Sequence, residues 1–314
     1  MQITPSTLSY LFNQFDLRYQ DAYRKAPEPW WNKIATEVPS TTEFNTYAWS
    51  DRVPQLREWI GERQARSLGA YSQQIINKPF ELTIEVDRNK IEDDQLGAYS
   101  FSIDDIARAA KKHPDVLVLS ALRTGQSIAS FDGVNFFSAT HPVSKYAGQS
   151  GTTATQSNYW SSSKPLTFDN YQDVRATMMG YLGADGLPLG VVPRLLVVPP
   201  QLEVTANLIC NGDSVAPATL GGVTQVGANY NPLKGTAQVL VIPELAVDAT
   251  TWYLIDPSRS VMPFIYQNRK SPEFVQMTDP KSANVFNRNK FVYGVDLRAN
   301  AGTSLWFLAA KAVG

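Results

Sequence analysis

Few residues of this chain belong to types that perform acid–base, nucleophilic or metal chemistry. The sequence contains two histidines and one cysteine, His113, His141 and Cys210. A zinc site needs three or four clustered Cys, His or carboxylate ligands, and these residues lie far apart in the sequence. A triad of Ser138, His141 and Asp132 can be assembled on paper, but a triad is defined by mutual geometry. We therefore expect structural roles, with His113 ending a helical turn and Cys210 acting as a small buried apolar group.

Other catalytic templates also fail. No Gly-x-Ser-x-Gly elbow and no Gly-rich phosphate loop before Lys-Ser/Thr is present. The acidic run of Glu92, Asp93 and Asp94 could hold a hard cation. Its position before a predicted helix explains it more simply, because acids stabilise a helix N-terminus. The sequence therefore predicts no cofactor, no metal and no enzyme.

Composition limits the class of protein further. Apolar residues make up 43% and charged residues 18% of 314 residues, with a net charge of −1. These values are typical of a globular protein. Proteins that bind duplex DNA tightly usually carry a basic patch or a basic domain, which a net charge of −1 does not indicate. No apolar run is long enough to cross a bilayer, and no secretion leader opens the chain. A single cysteine excludes an intrachain disulfide and fits a reducing cytoplasm.

The most informative stretch runs from residue 45 to residue 125. Phe80, Leu82, Ile84 and Val86 alternate with polar residues, which predicts a half-buried strand. We interpret it as the returning arm of a long hairpin that turns near residues 61–63.

A helix is predicted to follow this hairpin. Apolar residues recur at helical spacing after a Ser-x-x-Asp start at Ser102. Lys111 and Lys112 lie at its end, as the helix dipole favours. Pro114 is predicted to kink or restart the helix, and Gly125 to cap a second helical piece.

The remaining elements suggest an α+β fold. Leu8, Leu11, Phe12, Phe15 and Tyr19 predict a first helix, which the prolines near Trp30 and Trp31 end. These tryptophans need cover from a core or an interface. Residues 144–164, rich in Ser, Thr and Gly, predict a surface loop between two lobes. Helices at 168–182 and 200–211 and strands near 195–198, 239–242, 252–255 and 261–266 predict a second lobe with a central sheet. Further segments at 274–278, 291–298 and 304–310 are expected, with a turn at 300–302.

Spaced motifs across nearly the whole chain resemble those of the major head subunit of Mu-like bacteriophages, the protein T family. They are NTYAW (45–49), LREWIG (56–61), NKPFE (77–81), EDDQLG (92–97), FDGVNFF (131–137), HP (141–142), RLLVVPP (194–200), NP (231–232), PFI (263–265) and FVYG (291–294). That family is similar to the Hong Kong 97 phage-type capsid proteins.

The resemblance implies five parts of the α+β chain. They are an N-terminal arm (1–44), an extended loop (45–88), a peripheral domain with a spine helix (89–164), an axial domain (165–266) and a return to the peripheral domain (267–314). The spine helix would include Ile103, Ile106, Ala110 and Pro114. The loop would contact a neighbouring subunit through Arg57, Glu58, Trp59, Glu62, Arg63 and Arg66. From the residues alone, these charges could equally be a solvated hairpin tip.

The function implied by the resemblance is packing rather than catalysis. The protein would be a major capsid protein that self-assembles into the icosahedral shell of a tailed phage enclosing double-stranded DNA, from pentamers and hexamers. It would bind no membrane and read no DNA sequence. Because no charged helical segment precedes the arm, a separate scaffolding protein is expected, together with a portal. Assembly would take place in the host cytoplasm. The alternatives are the shell of a non-viral, encapsulin-like compartment and an enzyme.

Overall fold

The computed structural model describes residues 4–49, 71–93, 97–143, 155–183, 188–215, 219–220, 223–224, 229–279 and 283–314. The helices in these residues are α1 (Pro5–Lys25), α2 (Arg88–Glu92), α3 (Gly97–Thr124), α4 (Phe168–Met179), α5 (Glu203–Asn211) and α6 (Ala283–Arg288). The strands are β1 (Ala35–Pro39), β2 (Phe44–Trp49), β3 (Tyr71–Ile76), β4 (Lys78–Asp87), β5 (His141–Pro142), β6 (Thr155–Gln156), β7 (Tyr159–Trp160), β8 (Leu195–Val198), β9 (Ser214–Val215), β10 (Thr219–Leu220), β11 (Val223–Thr224), β12 (Asn229–Tyr230), β13 (Gln238–Val241), β14 (Thr251–Ile255), β15 (Phe264–Met277), β16 (Lys290–Thr303) and β17 (Ala309–Val313).

Two larger sheets organise the described chain. The first has four strands in the order β1-β15-β16-β4, in which the fourteen-residue strands β15 and β16 pair antiparallel. The second has five strands in the order β13-β8-β14-β17-β7, with β8 and β13 parallel. Mixed sheets with flanking helices confirm the predicted α+β class.

Two apolar clusters form the core, and β15 reaches both. Its first residues, Phe264 and Tyr266, lie in the cluster around the five-stranded sheet. Near its other end, Phe274 lies with α1, α3 and the outer half of β16 in a second cluster. The four-stranded sheet therefore joins the two halves of the molecule through continuous strands rather than through a linker.

Helix α1 confirms the prediction from its apolar spacing. Leu8, Leu11, Phe15 and Tyr19 are buried, and the Thr4 hydroxyl caps the helix by accepting a hydrogen bond from the Thr7 amide. The helix ends at Lys25, just before the prolines. Trp30 and Trp31 then pack against the larger cluster, so the core supplies at least part of their cover.

Helix α3 differs from the prediction in its start and in its continuity. It begins at Gly97 rather than Ser102, and it runs as one helix through Pro114. Proline inside a helix removes one hydrogen bond and costs about 3 kcal/mol. Burial on both sides of Pro114 offsets this cost, because Ile106 lies in the second cluster and Val118 in the first. The predicted helix restart at Pro114 is therefore wrong.

Both neighbours of Pro114 are ionisable; Asp115 is buried and His113 is half-buried. The Asp115 carboxylate accepts a hydrogen bond from the Trp31 amide at 2.8 Å. Burial raises the pKa of Asp115 to about 6. Burial also lowers the pKa of His113, whose ring packs edge-on against Phe80 with centroids 4.3 Å apart. As pH falls, protonation of Asp115 therefore favours the folded state, whereas protonation of His113 disfavours it.

The hairpin returns through β3 rather than through β4. Strand β3 pairs with β2, whereas β4 pairs with β16 over its whole length. The predicted alternation on β4 is present only in part: Phe80, Ile84 and Val86 are partly or fully buried, but Leu82 is 42% exposed. Alternation predicts a half-buried strand but does not identify the strand it pairs with.

Three further segments differ from their predictions. The expected turn at residues 300–302 is continuous β16. Gly302 lies against the Ile75 side chain, and an added Cβ would lie 2.6 Å from it. In the expected loop at 144–164, residues 144–154 lie outside the described residues, and the remainder includes β6 and β7 with the buried Asn158 between them. The last strand, β17, joins the five-stranded sheet instead of following β16 into the other one.

Replacing Pro114 by alanine should stabilise the subunit. Alanine restores an amide that can donate to the Ala110 carbonyl, so we expect a gain of about 1–3 kcal/mol and a higher melting temperature by calorimetry. Ser120→Ala, at an exposed site on the same helix, controls for helix propensity and should gain less than about 1 kcal/mol. Equal stability of Pro114→Ala and wild type would contradict this account.

The Asp115 carboxylate should make stability depend on pH. Its folded pKa of about 6 lies above the ordinary value of 3.8, so protonation favours the folded state as pH falls through this window. Asp115→Asn removes this titration. Wild type should therefore gain stability relative to Asp115→Asn between about pH 7 and about pH 4.5 in urea unfolding. The opposite contribution of His113 is common to both proteins and cancels. A constant difference at both pH values would argue against the raised pKa.

Candidate functional site

The hairpin formed by β2 and β3 is fixed at its base by buried amides. Gln267 of β15 is fully buried. Its Nε2 donates to Asn77 Oδ1 at 2.7 Å and to the Ile75 carbonyl at 3.1 Å, and its Oε1 accepts from the Tyr47 hydroxyl at 2.8 Å. Asn77 in turn donates to Ser40 Oγ at 2.9 Å. A fully satisfied buried polar network specifies one geometry, so the base of the hairpin has a defined direction.

Contacts to β16 hold the same base from the other side. Gln73 Nε2 donates to Thr303 Oγ1 at 2.8 Å, and Asn300 Nδ2 donates to the Ile76 carbonyl at 2.7 Å. Side chains of both β15 and β16 therefore form hydrogen bonds with β3, the returning strand of the hairpin. The hairpin is anchored by strands that reach across both halves of the molecule.

The predicted contact residues of the hairpin lie outside the described residues. They are Arg57, Glu58, Trp59, Glu62, Arg63 and Arg66. Sequence reasoning missed the residues that anchor the base, Gln267 and Asn77. The available signal was a glutamine directly after the apolar run of residues 263–266, where an uncompensated polar group would be costly.

The predicted spine residues divide into buried and bordering positions. Ile103, Ile106 and Ala110 are buried beneath α1 and the four-stranded sheet, and Pro114 lies beside Trp31 on a surface cleft. The Arg18 guanidinium on α1 contacts both Asp104 oxygens, at 2.9 and 2.7 Å. This bidentate ion pair fixes α1 against α3.

Large apolar side chains remain exposed on two helical surfaces. On α1 and α3 they include Tyr10, Leu17 and Phe101, the last 72% exposed. On α5 they are Val204 and Leu208, one helical turn apart and 72% and 60% exposed. Exposed apolar groups are typical of interaction surfaces, so α1, α3 and α5 are candidates for subunit contact.

Of the candidate triad Ser138, His141 and Asp132, the structure brings only the histidine and the aspartate into contact. His141 Nδ1 lies 2.6 Å from Asp132 Oδ2, but Nε2 faces Asn158 Oδ1 at 3.1 Å. The Ser138 hydroxyl lies instead beside Thr140, at 3.2 Å. The imidazole is fully buried and stacks on Trp306 with centroids 3.8 Å apart. Ser138 is hydrogen-bonded to Thr140 rather than to His141, and the buried imidazole is not accessible to a substrate. This set therefore lacks the geometry of a nucleophilic triad.

Asn158 explains why this histidine is buried. Its Nδ2 lies within 3.1 Å of the carbonyls of Phe136, Trp306 and Ala309. Its Oδ1 accepts from the Ser138 amide. One amide thus ties together three segments distant in sequence, and His141 completes the network. No motif in the sequence marked this residue.

The other candidate chemistry is also absent from the described residues. None of their His, Cys, Asp and Glu side chains form a group of three that could hold a metal. Glu92 ends the short helix α2 and Asp93 follows it, before α3 begins at Gly97, whereas Asp94 lies outside the described residues, so the dipole role of the acidic run stays a prediction. Cys210 is buried as predicted, and burial raises the pKa of its thiol. Among the described helices, none is long and apolar enough to cross a membrane.

Comparison with known proteins gives one consistent result. The profile of the family described as Mu-like prophage major head subunit gpT matches residues 8–165, 156–245 and 246–313. The chain is 32% identical over 307 residues to the Mu-like prophage FluMu major head subunit of Haemophilus influenzae, covering 98% of this chain and 73% of that protein. It is 27% identical to the major capsid protein of Escherichia phage Mu, covering 100% and 76%.

A solved structure agrees with these sequence relatives. The chain superimposes on a subunit of the bacteriophage JBD30 procapsid with a TM-score of 0.62 and 31% identity, covering 99% of this chain and 76% of that one. The comparisons favour a phage head over a non-viral compartment. The chain therefore belongs to the Mu-like prophage major head subunit family, and it is a phage major capsid protein, a component of the virion with the Hong Kong 97-type fold.

Proposed function

We propose that each subunit builds the shell by extending its hairpin onto a neighbouring subunit. The observation that carries this proposal is the rigid base: β2 and β3 are locked to β15 and β16 by Gln267, Asn77 and Asn300. A contact made at the end of a projection is specific only if the base fixes its direction, because an unanchored arm loses conformational entropy on binding. The buried amides of Gln267 and Asn77 fix the base before binding and so reduce that cost.

The chemistry of the proposed contact follows from the residues beyond the base. Arg57, Arg63 and Arg66 can each form bidentate bonds with carboxylates of the neighbour. Glu58 and Glu62 add charges of the opposite sign, which set register and exclude wrong alignments. Trp59 supplies an apolar anchor of the kind that dominates interface energy. The exposed apolar faces of α1, α3 and α5 extend the contact.

The assembly we propose is a closed shell of pentamers and hexamers. Heterologous contacts that close into rings require one surface to fit a different surface on the next copy, and permanent interfaces bury on the order of 2,000–5,000 Å². The shell would enclose DNA without reading its sequence. It would assemble in the host cytoplasm with a separate scaffolding protein and a portal, as the family resemblance implies. In this scheme α3, with Ile103, Ile106, Ala110 and Pro114, is the spine.

Deleting residues 58–67 should separate folding from assembly. The removed part lies beyond the anchored base, so we expect a folded subunit with unchanged circular dichroism that forms no shells in electron micrographs. A deletion of equal length at residues 145–154, in the Ser- and Gly-rich segment, is the matched control and should still assemble. Normal particles from the 58–67 deletion would exclude the hairpin from the assembly mechanism.

The mature shell should contain no covalent crosslink through the hairpin. Such a bond requires an uncharged lysine amine that attacks a carboxamide, and no lysine occurs between Asp51 and Asn77. Arginine stays protonated and cannot replace it. Boiled, reduced virions should therefore give one band near the subunit mass of 34.8 kDa. A ladder of multimers would contradict this, and Lys78→Arg would then test the nearest amine.

A further inference from the structure

A cavity of about 930 Å³ opens at one end of the five-stranded sheet. The first residues of the parallel strands β8 and β13, Leu195 and Gln238, form its floor together with Pro257, which follows β14. Three basic residues from separate elements line it: Lys33, Arg175 of α4 and Arg194. The described residues of the lining include no carboxylate.

Arg175 is held in place by the backbone. Its Nη1 donates to the carbonyl of Pro193 and, at 3.3 Å, to that of Thr236. Because a guanidinium carries five N–H groups in a fixed plane, this anchoring leaves the Nε and Nη2 donors for another acceptor. The side chain is therefore oriented before any ligand arrives.

Lys33 and Arg194 have no ion pair or side-chain hydrogen bond to any described residue, although both are exposed at the cavity. The carboxylates close to lining residues in sequence are engaged elsewhere. Asp256 accepts from the Val192 and Ser258 amides, at 2.9 and 3.0 Å. Asp213 pairs with Lys234, and Asp173 with Lys164.

Three basic side chains therefore line the cavity, and none of them forms an ion pair with a described carboxylate. Elsewhere the described cations mostly have partners, as in Arg18–Asp104, Lys112–Glu244 and Arg123–Asp248. Like charges lining one concave surface raise the local positive potential and attract anions. What distinguishes this cavity is that three basic side chains line one concave surface, and none of the three forms an ion pair with a described residue.

We propose that this cavity is an anion site that binds a phosphate group. Phosphate fits better than a single carboxylate, because a group of charge near −2 with three acceptor oxygens matches two guanidinium groups and one ammonium. The volume also matches a phosphate carried on a larger group, since ligand pockets commonly enclose about 300–1,000 Å³. The phosphate comes either from a free anion, such as a mononucleotide, or from the backbone of DNA. The site is separate from the hairpin contact, and either can fail without the other.

The test compares two double variants of equal charge. Lys33→Gln with Arg194→Gln removes the two exposed cations of the cavity. Lys78→Gln with Arg269→Gln removes two exposed cations outside it, which likewise have no ion pair in the described residues. Calorimetric titration of the unassembled subunit with inorganic phosphate, at constant ionic strength, should show saturable binding for wild type and the matched variant. The cavity variant should bind at least about tenfold more weakly, because two charge-assisted contacts are lost.

Two further titrations identify the source of the phosphate. Binding of adenosine monophosphate without binding of a short DNA duplex indicates a free anion. Duplex binding that the cavity variant loses, together with a shallower salt dependence, indicates the DNA backbone. No saturable phosphate binding, or equal loss in both double variants, overturns the proposal. It is also overturned if a polyglutamate peptide binds at the cavity and phosphate does not.

Discussion

The antiparallel pairing of β15 with β16 is the constraint on which the other parts of this subunit depend. Both strands are fourteen residues long, so they extend past the limits of a single core and enter two. At one end they contribute Phe264 to the cluster of the five-stranded sheet, and at the other Phe274 and Tyr293 to the cluster beneath α1 and α3. The hairpin is anchored between these ends. The base of the hairpin is therefore bonded to two strands that are each part of both cores.

The polar interior supports the same arrangement. Gln267 and Asn158 are both fully buried, and each uses its amide to join segments that are far apart in the chain. Such groups contribute little net stability when satisfied, but they cost much when a partner is missing. They therefore penalise alternative arrangements of the hairpin base and of the segment around His141. In a protein that works by repeating one contact many times, a small error in direction would accumulate around the shell.

Much of the fold could be predicted because local patterns reflect local burial. The spacing in α1 and the buried run of β8 each indicate which residues are covered, and the structure confirms both. The alternation in β4 is confirmed except at Leu82, which is exposed. The errors arose where tertiary contacts override a local signal. Pro114 predicts a break, yet burial on both sides keeps α3 continuous. Gly302 resembles a turn residue, yet it makes room for Ile75. The pairing partners of β4 and the roles of Gln267 and Asn158 depend on residues far away in sequence, and no local pattern contains them.

Strand β15 carries two irregularities that together have a simple effect. Relative to β16 it contains one extra residue between Asn268 and Lys270, and another between Lys270 and Glu273. One extra residue reverses which face of the sheet every later side chain occupies, and the second reversal cancels the first. That is why Phe264 and Phe274 both face the interior although they lie in different clusters. Side chains alternate between the two faces of the sheet, so two residues inserted into or deleted from this segment together leave Phe274 facing the interior. A single insertion or deletion would expose Phe274 and bury its charged neighbour Glu273.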